Sequence, residues 1–199
     1  MEPHVNTHPQ TRPAGPRIAP LEPEAWDSVV REILAPEKRP AAYGEPEQPV
    51  FNVFKTMANY PALMKRIAPW GSHVLFKSSL PGRDLERAIL RTAWVCQTPY
   101  EWAHHRAVAL QTGVLSVADV EAVRAGPAAP GLSAHDAAVL AAADELVSAH
   151  CISDATWARL ALGYDTLQLM DLVFAVGHYA MMCMALNSFG VQLEDDLTA

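Results

Sequence analysis

The sequence lacks a pair of cysteines at the spacing that supports thiol redox chemistry. Its 199 residues include three cysteines, which lie far apart in the chain as Cys96, Cys151 and Cys183. An odd number of isolated cysteines does not form a disulfide framework, and no CxxC motif occurs. This pattern is typical of reduced thiols, so we predict a cytoplasmic protein with no disulfide and no thiol redox pair.

Clusters of positive charge are also absent. The chain has 15 Lys and Arg against 22 Asp and Glu, which gives a formal net charge of -7. Nucleic-acid binding needs clustered cations, so we exclude nucleic acid as a partner. There is no Gly-rich phosphate loop, no GxSxG elbow and no Rossmann fingerprint, and we therefore predict no cofactor.

Long uninterrupted hydrophobic runs are missing as well. The first residues show no apolar stretch of signal-peptide length, so we expect no export signal. The most apolar region, Leu167 to Val191, contains Asp171, His178 and Asn187 and lacks flanking basic anchors. Those polar groups are costly in a bilayer, and we predict no membrane span.

The organisation of the chain follows from helical periodicity, because no segment alternates as a strand does. The proline-rich residues 1–20 predict a flexible arm, and residues 21–199 predict a single all-α domain, a compact helical bundle. Residues 35–49 are loop-like. We predict helices over 22–34, 53–68 with an interruption near Pro61, 81–98, 100–113, 116–124, 133–149, 153–162 and 166–188.

Titratable side chains concentrate where the periodicity predicts burial. Glu86 is followed at helical spacing by apolar residues, and Glu101, His104 and His105 share one face of the next helix. Glu101 and His105 lie one turn apart, so each stabilises the charged form of the other, and the pair can exchange a proton near neutral pH. Alternatively they form an exposed surface pair. For His104 we favour a surface or capping role.

The spacing of these residues suggests a family. The spacing resembles a known pattern, Glu-x11-Cys-x2-Cys-x3-His, of the carboxymuconolactone decarboxylase and alkylhydroperoxidase D-like superfamily. In this chain the corresponding residues are Glu86, Thr98, Glu101 and His105. The segments TPYEWAHH and GHYAMMCMALNSFGVQLE extend the resemblance over roughly residues 45–195. Thr98 and Glu101 take the places of the two cysteines, so the chain resembles the cysteine-free branch, without CxxC peroxidase activity.

The resemblance implies a fold, an assembly and a reaction. It implies an all-α fold of the alkylhydroperoxidase D type that forms homo-oligomers, commonly trimers or hexamers. Glu86 matches the acidic helper of the family and His105 its proton-transferring histidine, while Glu101 takes over the role of a lost cysteine and tunes His105. The expected activity is that of a cofactor-independent lyase or isomerase, decarboxylase-like, acting on a small organic acid or lactone in catabolism or secondary metabolism.

Five further residues are candidates for substrate binding. Tyr100 and Trp102 can floor an apolar pocket, although aromatic residues are ordinary core material. Thr98 and His104 lie beside the proton-transfer residues in the chain. His178 stands in an apolar helix, either as a core histidine whose ring nitrogens have partners or as a pocket-lining residue.

Other functions compete with this prediction. Glu101-x-x-His104 has the spacing of carboxylate-bridged di-iron sites, but a second such motif is absent, so we predict no metal. A non-catalytic helical oligomer that binds a small ligand is the main alternative. A residual peroxidase or a metal-dependent enzyme is a weaker one.

Overall fold

The computed structural model describes residues 13–35, 50–195 and 197, and this part of the chain is helical without strands. The predicted all-α class is confirmed. The predictions for residues 1–12 and for the loop at 36–49 lie outside the described residues. The helices are α1 (Ser28–Ile33), α2 (Asn52–Met57), α3 (Pro61–Phe76), α4 (Gly82–Val95), α5 (Pro99–Gln111), α6 (Val117–Ala125), α7 (Ala134–Ala149), α8 (Asp154–Leu160) and α9 (Thr166–Phe189).

Side-chain caps set most of these boundaries. Ser116, Ser133 and Ser153 each accept a hydrogen bond from the backbone N–H three residues later, as predicted. Asp165 caps α9 in the same way. Such caps satisfy backbone donors that a helix start leaves unpaired, so short polar residues fix where each helix begins.

Two predicted helices differ from the structure. The predicted helix over 22–34 is a 3-10 turn at Pro23–Ala25 followed by α1, because Asp27 accepts a hydrogen bond from the N–H three residues later and starts a new helix. The predicted interruption near Pro61 is confirmed, since Pro61 begins α3. That helix then continues beyond Pro69 instead of ending there.

Residues 13–20, the described part of the predicted arm, contact the end of α9. The N–H groups of Arg17 and Ile18 both donate to the carbonyl of Phe189, at 2.7 and 3.2 Å. Gly190 follows at a φ of +69°, and a Cβ added there would lie 2.5 Å from a backbone oxygen of this segment. Gly190 therefore serves both the left-handed end of α9 and the close approach of the N-terminal segment.

The core is built around α4, which packs against α5, α6, α7 and α9. On one side Ile89 lies in a cluster with α7 and α9, and on the other side Leu90 lies in a cluster with α5 and α6. A third, smaller cluster joins α1, α2 and α3 around Val30 and Met64. Because this third cluster is separate from the main core, a cavity remains between them.

A buried arginine holds three of these helices together. Arg87 of α4 is 1% exposed and forms ion pairs with Asp84 at 3.6 Å, with Asp119 of α6 at 3.1 Å and with Asp136 of α7. Tyr164 also donates to Asp84, at 2.7 Å. A buried charge is tolerated only when it is paired, so this network ties α4, α6 and α7 to one arrangement.

Among the described helices, α9 alone is long and apolar enough, by length and composition, to cross a membrane. About half of its most apolar window, 44%, is buried inside the protein, which is typical of a central helix in a helical domain. Its Asp171 accepts hydrogen bonds from the backbone and hydroxyl of Ser79. The exposed side of α9 is an apolar stripe, which consists of Leu167, Met170, Phe174, Gly177, Met181 and Met184.

Candidate active site

A cavity of about 790 Å³ lies between the α1–α3 cluster and the helices α4, α5 and α9. Most of its wall is apolar. The titratable residues in its wall include Glu86 on α4, Glu101, His104 and His105 on α5, and His178 on α9. The structure therefore brings all three predicted catalytic residues to one concave site.

His105 lies between the two carboxylates. Its Nδ1 is 3.0 Å from Oε2 of Glu86, and its Nε2 is 3.2 Å from Oε1 of Glu101. All three residues are at most 9% exposed. The alternative of an exposed surface pair is therefore wrong, and the three groups form a buried row that we call the Glu86–His105–Glu101 triad.

The turn between α4 and α5 produces this geometry. Gln97 adopts a positive φ of 52°, so α5 folds back against α4 after only a few residues. Thr98 fastens the turn, because its hydroxyl donates to the carbonyl of Cys96 at 3.3 Å and accepts from Asn187 of α9 at 3.0 Å. Thr98 does not line the cavity, and its place is structural rather than at the predicted substrate site.

The triad holds a protonated histidine. Burial by itself would lower the pKa of His105, but the charge of Glu86 and the hydrogen bonds to Glu101 and Glu86 raise it to about 10. At neutral pH the imidazole is thus a cation with both ring nitrogens directed at carboxylates. In the described part of the chain the second oxygens of Glu86 and Glu101 have no hydrogen-bond partner, so a carboxylate, rather than His105 itself, is the group available to a substrate.

His178 is not a core histidine with hydrogen-bond partners for both ring nitrogens, which was one of the two expectations from the sequence. It is 8% exposed, yet its Nδ1 is buried without a hydrogen-bond partner among the described residues. Its ring packs edge-on against Tyr179 and Trp70. Burial lowers the pKa of His178, although the nearby charge of Glu101 opposes this, so the ring is neutral at neutral pH.

A carboxylate from the C-terminal segment fastens the cavity wall. Oε2 of Glu194 is 2.6 Å from Nε2 of His104, and its Oε1 accepts from the hydroxyl of Tyr100 at 2.9 Å and from the backbone N–H of Asn52 at 2.7 Å. The Tyr100 hydroxyl also accepts from the N–H of Val53. We call this arrangement the Glu194 clasp, and it joins the start of α5 to the start of α2.

Electrostatics strengthen the Glu194 clasp. Burial would raise the pKa of Glu194, but the hydrogen bonds from His104 and from the Asn52 N–H lower it. His104 is half-buried within the Glu194 clasp, and not a surface or capping histidine. No periodicity in the acidic tail marks Glu194, so reasoning from the sequence missed it.

Trp102 lies outside the cavity, contrary to the expectation that it contributes to a pocket floor. It points into the cluster of α4, α5 and α6, where its ring centre is 5.2 Å from that of Trp94. Trp102 is therefore a packing residue. Tyr100, in contrast, lines the cavity as expected.

The cysteines are less isolated than their separation in the sequence predicts. All three are free thiols. The end of α4 packs on α9, and a hydrogen bond from Cys183 lowers the pKa of Cys96 while raising that of Cys183. Cys151 is exposed. Two of the thiols are thus neighbours in space, although not at the positions of a CxxC motif.

The Glu101-x-x-His104 spacing does not create a joint site. Glu101 pairs with His105, whereas His104 pairs with Glu194. Among the described residues, no group of three or more His, Cys, Asp or Glu side chains is arranged to hold a metal ion.

Comparison with known families identifies the central segment. The model of the carboxymuconolactone decarboxylase family matches residues 61–145, which include the whole triad. The match covers a little under half of the chain, and over this segment the protein is similar to that family. No curated protein matches the sequence.

Solved structures share the fold of this carboxymuconolactone decarboxylase-like chain. An uncharacterised peroxidase-related protein with an alkylhydroperoxidase AhpD core from Ralstonia eutropha is similar with a TM-score of 0.74 and 18% identity, over 91% of this chain and 93% of that one. The debrominase Bmp8, in complex with 2,3,4-tribromopyrrole, is similar with a TM-score of 0.73 and 13% identity, over 89% and 91% of the two chains. At these identities the likeness shows the fold alone.

Proposed function

We propose that this protein is a cofactor-independent lyase or isomerase that transfers a proton to or from a carbon atom of a small organic acid or lactone. The observation that carries this proposal is the position of His105 between Glu86 and Glu101 on the wall of the cavity. A cavity with converging titratable groups and a strongly raised histidine pKa is typical of sites for acid–base chemistry.

Glu101 is the group that exchanges the proton with substrate in this proposal. It lies in the first turn of α5, lines the cavity and has one carboxylate oxygen without a partner in the described residues. Nε2 of the cationic His105 lies 3.2 Å from the other carboxylate oxygen and attracts negative charge on Glu101. The positive end of the α5 dipole acts in the same direction.

The reaction needs no oxidant. Glu101 removes a proton from a carbon next to a carbonyl group, the electron pair of the C–H bond delocalises onto the carbonyl oxygen, and the protonated Glu101 returns the proton to the same or another carbon. In a decarboxylation the order changes: loss of carbon dioxide leaves a carbanion, Glu101 relays to it the proton of the His105 imidazolium, and His105 then regains a proton from water. Glu86 holds the imidazolium of His105 from the other side in both cases.

Two observations support this chemistry over peroxide reduction. Thr98 and Glu101 stand where the redox branch of the superfamily has its cysteine pair, so the dithiol that would reduce a peroxide is missing at that place. The similarity to a debrominase supports the view that the fold hosts other reactions.

We also propose that the chain forms a cytoplasmic homo-oligomer, with the apolar stripe of α9 as the contact to a second copy. Spacings of three and four residues along the stripe suit packing against an identical stripe, and Gly177 near its middle permits close approach. The stripe carries no charge, so contact between two copies of a chain with net charge -7 brings no like charges together there. Sedimentation should show an oligomer that Met184→Glu dissociates, and a monomeric wild-type protein would contradict this. The three free cysteines support the proposed cytoplasmic location, because thiols stay reduced in that compartment.

Deuterium exchange tests the proposed reaction. A panel of lactones and β-keto acids is incubated with the protein in deuterated water, and incorporation of deuterium at carbon is measured by mass spectrometry. We expect exchange by the wild type and a loss of about 100-fold or more in Glu101→Gln and His105→Gln, the usual contribution of a positioned acid or base. Glu121→Gln on the exposed side of α6 is the matched control and should exchange normally.

The same assay separates the proposal from its alternative. If folded Glu101→Gln and His105→Gln retain the wild-type exchange rate, the assignment of the triad as catalytic fails. If no compound exchanges but several bind saturably in the cavity, the protein is a ligand-binding oligomer instead.

A further inference from the structure

The charges around the cavity are unbalanced. The triad carries two carboxylates, Glu86 and Glu101, and one imidazolium, His105, so its formal charge is negative. Near the outside, Glu32 and Lys65 also line the cavity, and their formal charges cancel. Among the described lining residues there is no arginine. The site therefore presents a net negative charge, and its lysine lies on an exposed part of α3.

This balance acts against an anionic substrate. Charges interact far more strongly in a buried site than in water. Apart from His105, which the two triad carboxylates already pair, no described residue beside the triad is a cation that could neutralise a bound carboxylate. Sites that bind carboxylates usually supply an arginine fork or a cluster of backbone N–H groups. The rest of the described wall consists largely of apolar side chains, which include Phe54, Ile67, Leu75, Val108 and Met182.

His178 supplies the polar contact that such a cavity still needs. Its ring is neutral, and neither nitrogen has a hydrogen-bond partner among the described residues. The Nε2 edge lies over Gly71, where a Cβ would come within 3.4 Å, so the absence of a side chain at Gly71 keeps this edge of the ring unobstructed. An imidazole N–H without a partner is costly unless a ligand accepts its hydrogen bond.

His178 and the triad lie at the same part of the cavity. The rings of His178 and His105 both pack edge-on against Tyr179, with their centres 5.1 and 5.0 Å from its ring centre. His105 in turn lies 3.2 Å from Glu101. A compound whose carbonyl oxygen meets His178 can therefore present the neighbouring carbon to Glu101. The hydrogen bond would also stabilise the negative charge that develops on that oxygen when the proton leaves.

Building on the proposed proton transfer, we infer that the substrate is an uncharged lactone or ketone with an apolar body, that its carbonyl oxygen accepts a hydrogen bond from His178, and that organic acids are excluded. This narrows the proposed function, which on the triad alone admits both acids and lactones. His178 is thereby a substrate-binding residue of the site and a determinant of specificity.

Two dyes of similar shape and different charge test the inference. Prodan is a neutral naphthyl ketone, and the corresponding dimethylaminonaphthoate has a carboxylate in place of the ketone. Fluorescence titration at neutral pH should give a dissociation constant at least tenfold lower for prodan. In Glu101→Gln, which removes one negative charge from the triad, binding of the naphthoate should improve and the gap should narrow.

The emission of bound prodan reports its hydrogen bond. Replacing His178 by Leu fills the same space with an apolar side chain that has no N–H donor. This should weaken prodan binding several-fold and shift its emission to the blue, because the ketone loses its hydrogen-bond donor. Replacing His178 by Gln, which retains an N–H donor, should restore much of both. Circular dichroism and thermal unfolding of each variant show whether it is folded before titration.

The possible outcomes decide between the two claims. Equal or tighter binding of the naphthoate, or no saturable binding of prodan, overturns the inference of an uncharged substrate. Unchanged prodan emission in the Leu variant overturns the role of His178. If the preference for the neutral dye holds while no compound exchanges deuterium, the proposed reaction fails but the binding preference stands. If acids exchange deuterium and bind more tightly than neutral compounds, the proposed reaction stands and the inference of an uncharged substrate fails.

Discussion

The buried imidazolium of His105 makes the stability of the protein depend on pH in the alkaline range. In the folded protein the carboxylates of Glu86 and Glu101 overcome the effect of burial and raise the pKa of His105 to about 10. In the unfolded chain the same histidine has an ordinary pKa of about 6.5. The folded state therefore binds a proton that the unfolded state releases at neutral pH.

The sign and size follow from this difference. Below about pH 6.5 both states are protonated, and the stabilisation is fully present. As the pH rises from about 6.5 to about 10, folding must take up a proton from an increasingly dilute supply, so the stabilisation is lost progressively. At about 1.36 kcal/mol per pKa unit, the loss is of the order of 5 kcal/mol. That is a large part of the stability of a typical domain.

Urea unfolding at a series of pH values from 6 to 10 measures this loss. Other groups also titrate in this range, so the matched control is the double variant Glu86→Gln, Glu101→Gln, which keeps the shape of the site. Without the carboxylates, burial lowers the pKa of His105 below that of the unfolded chain. The variant should thus show no loss from this histidine above pH 6.5, and the difference in slope isolates the triad.

Parallel stability curves for the wild type and the double variant would refute the reasoning. They would mean that His105 is not held as a cation by its two neighbours. A two-dimensional NMR titration of the His105 ring in the wild type gives an independent measurement, since its resonances should remain those of an imidazolium past pH 8.

Three further predictions concern other parts of the structure. Glu194→Ala should lower the free energy of unfolding by about 1–3 kcal/mol, because three buried or half-buried donors lose their acceptor. Asp195→Asn, at the exposed neighbouring residue, should change it little, and urea unfolding of both variants measures the difference. Arg87→Met should cost about 3–5 kcal/mol, because the buried Asp84 and the half-buried Asp119 and Asp136 lose their cation. Arg83→Met, whose side chain is 50% exposed, should cost no more than about 1 kcal/mol, and equal losses would contradict the network. Cys151 should be the thiol that Ellman's reagent labels first in the native protein, and Cys151→Ser should abolish that fast phase.

Much of the fold could be predicted because interactions between residues close in the sequence set the helix boundaries. Ser116, Ser133 and Ser153 cap helices through their own side chains, which depends only on residues three positions away. The arrangement at Pro23–Ala25 could not be predicted, since apolar spacing favoured one continuous helix there. The choice between a continuous helix and two short elements depended on the competing cap at Asp27.

Part of the candidate site could likewise be predicted from the sequence, and part could not. Glu101 and His105 lie one helical turn apart, and Glu86 joins them through the spacing that the family shares, so the triad followed from the sequence. The unpaired ring of His178 and the structural place of Trp102 did not. Both depend on which helix faces which in the packed core, and periodicity within one helix does not contain that information.

The Glu194 clasp holds the cavity wall through residues that are not part of the triad. The triad lies within residues 61–145, the segment that matches the family model, whereas the Glu194 clasp also uses Asn52 and Glu194, which lie on either side of that segment. It grips the start of α2, which forms part of the cavity wall. Substitutions in these flanking segments can thus change the shape of the cavity wall while leaving the triad intact. A fusion or truncation at the C-terminus that displaces Glu194 would loosen the wall at α2 rather than the triad.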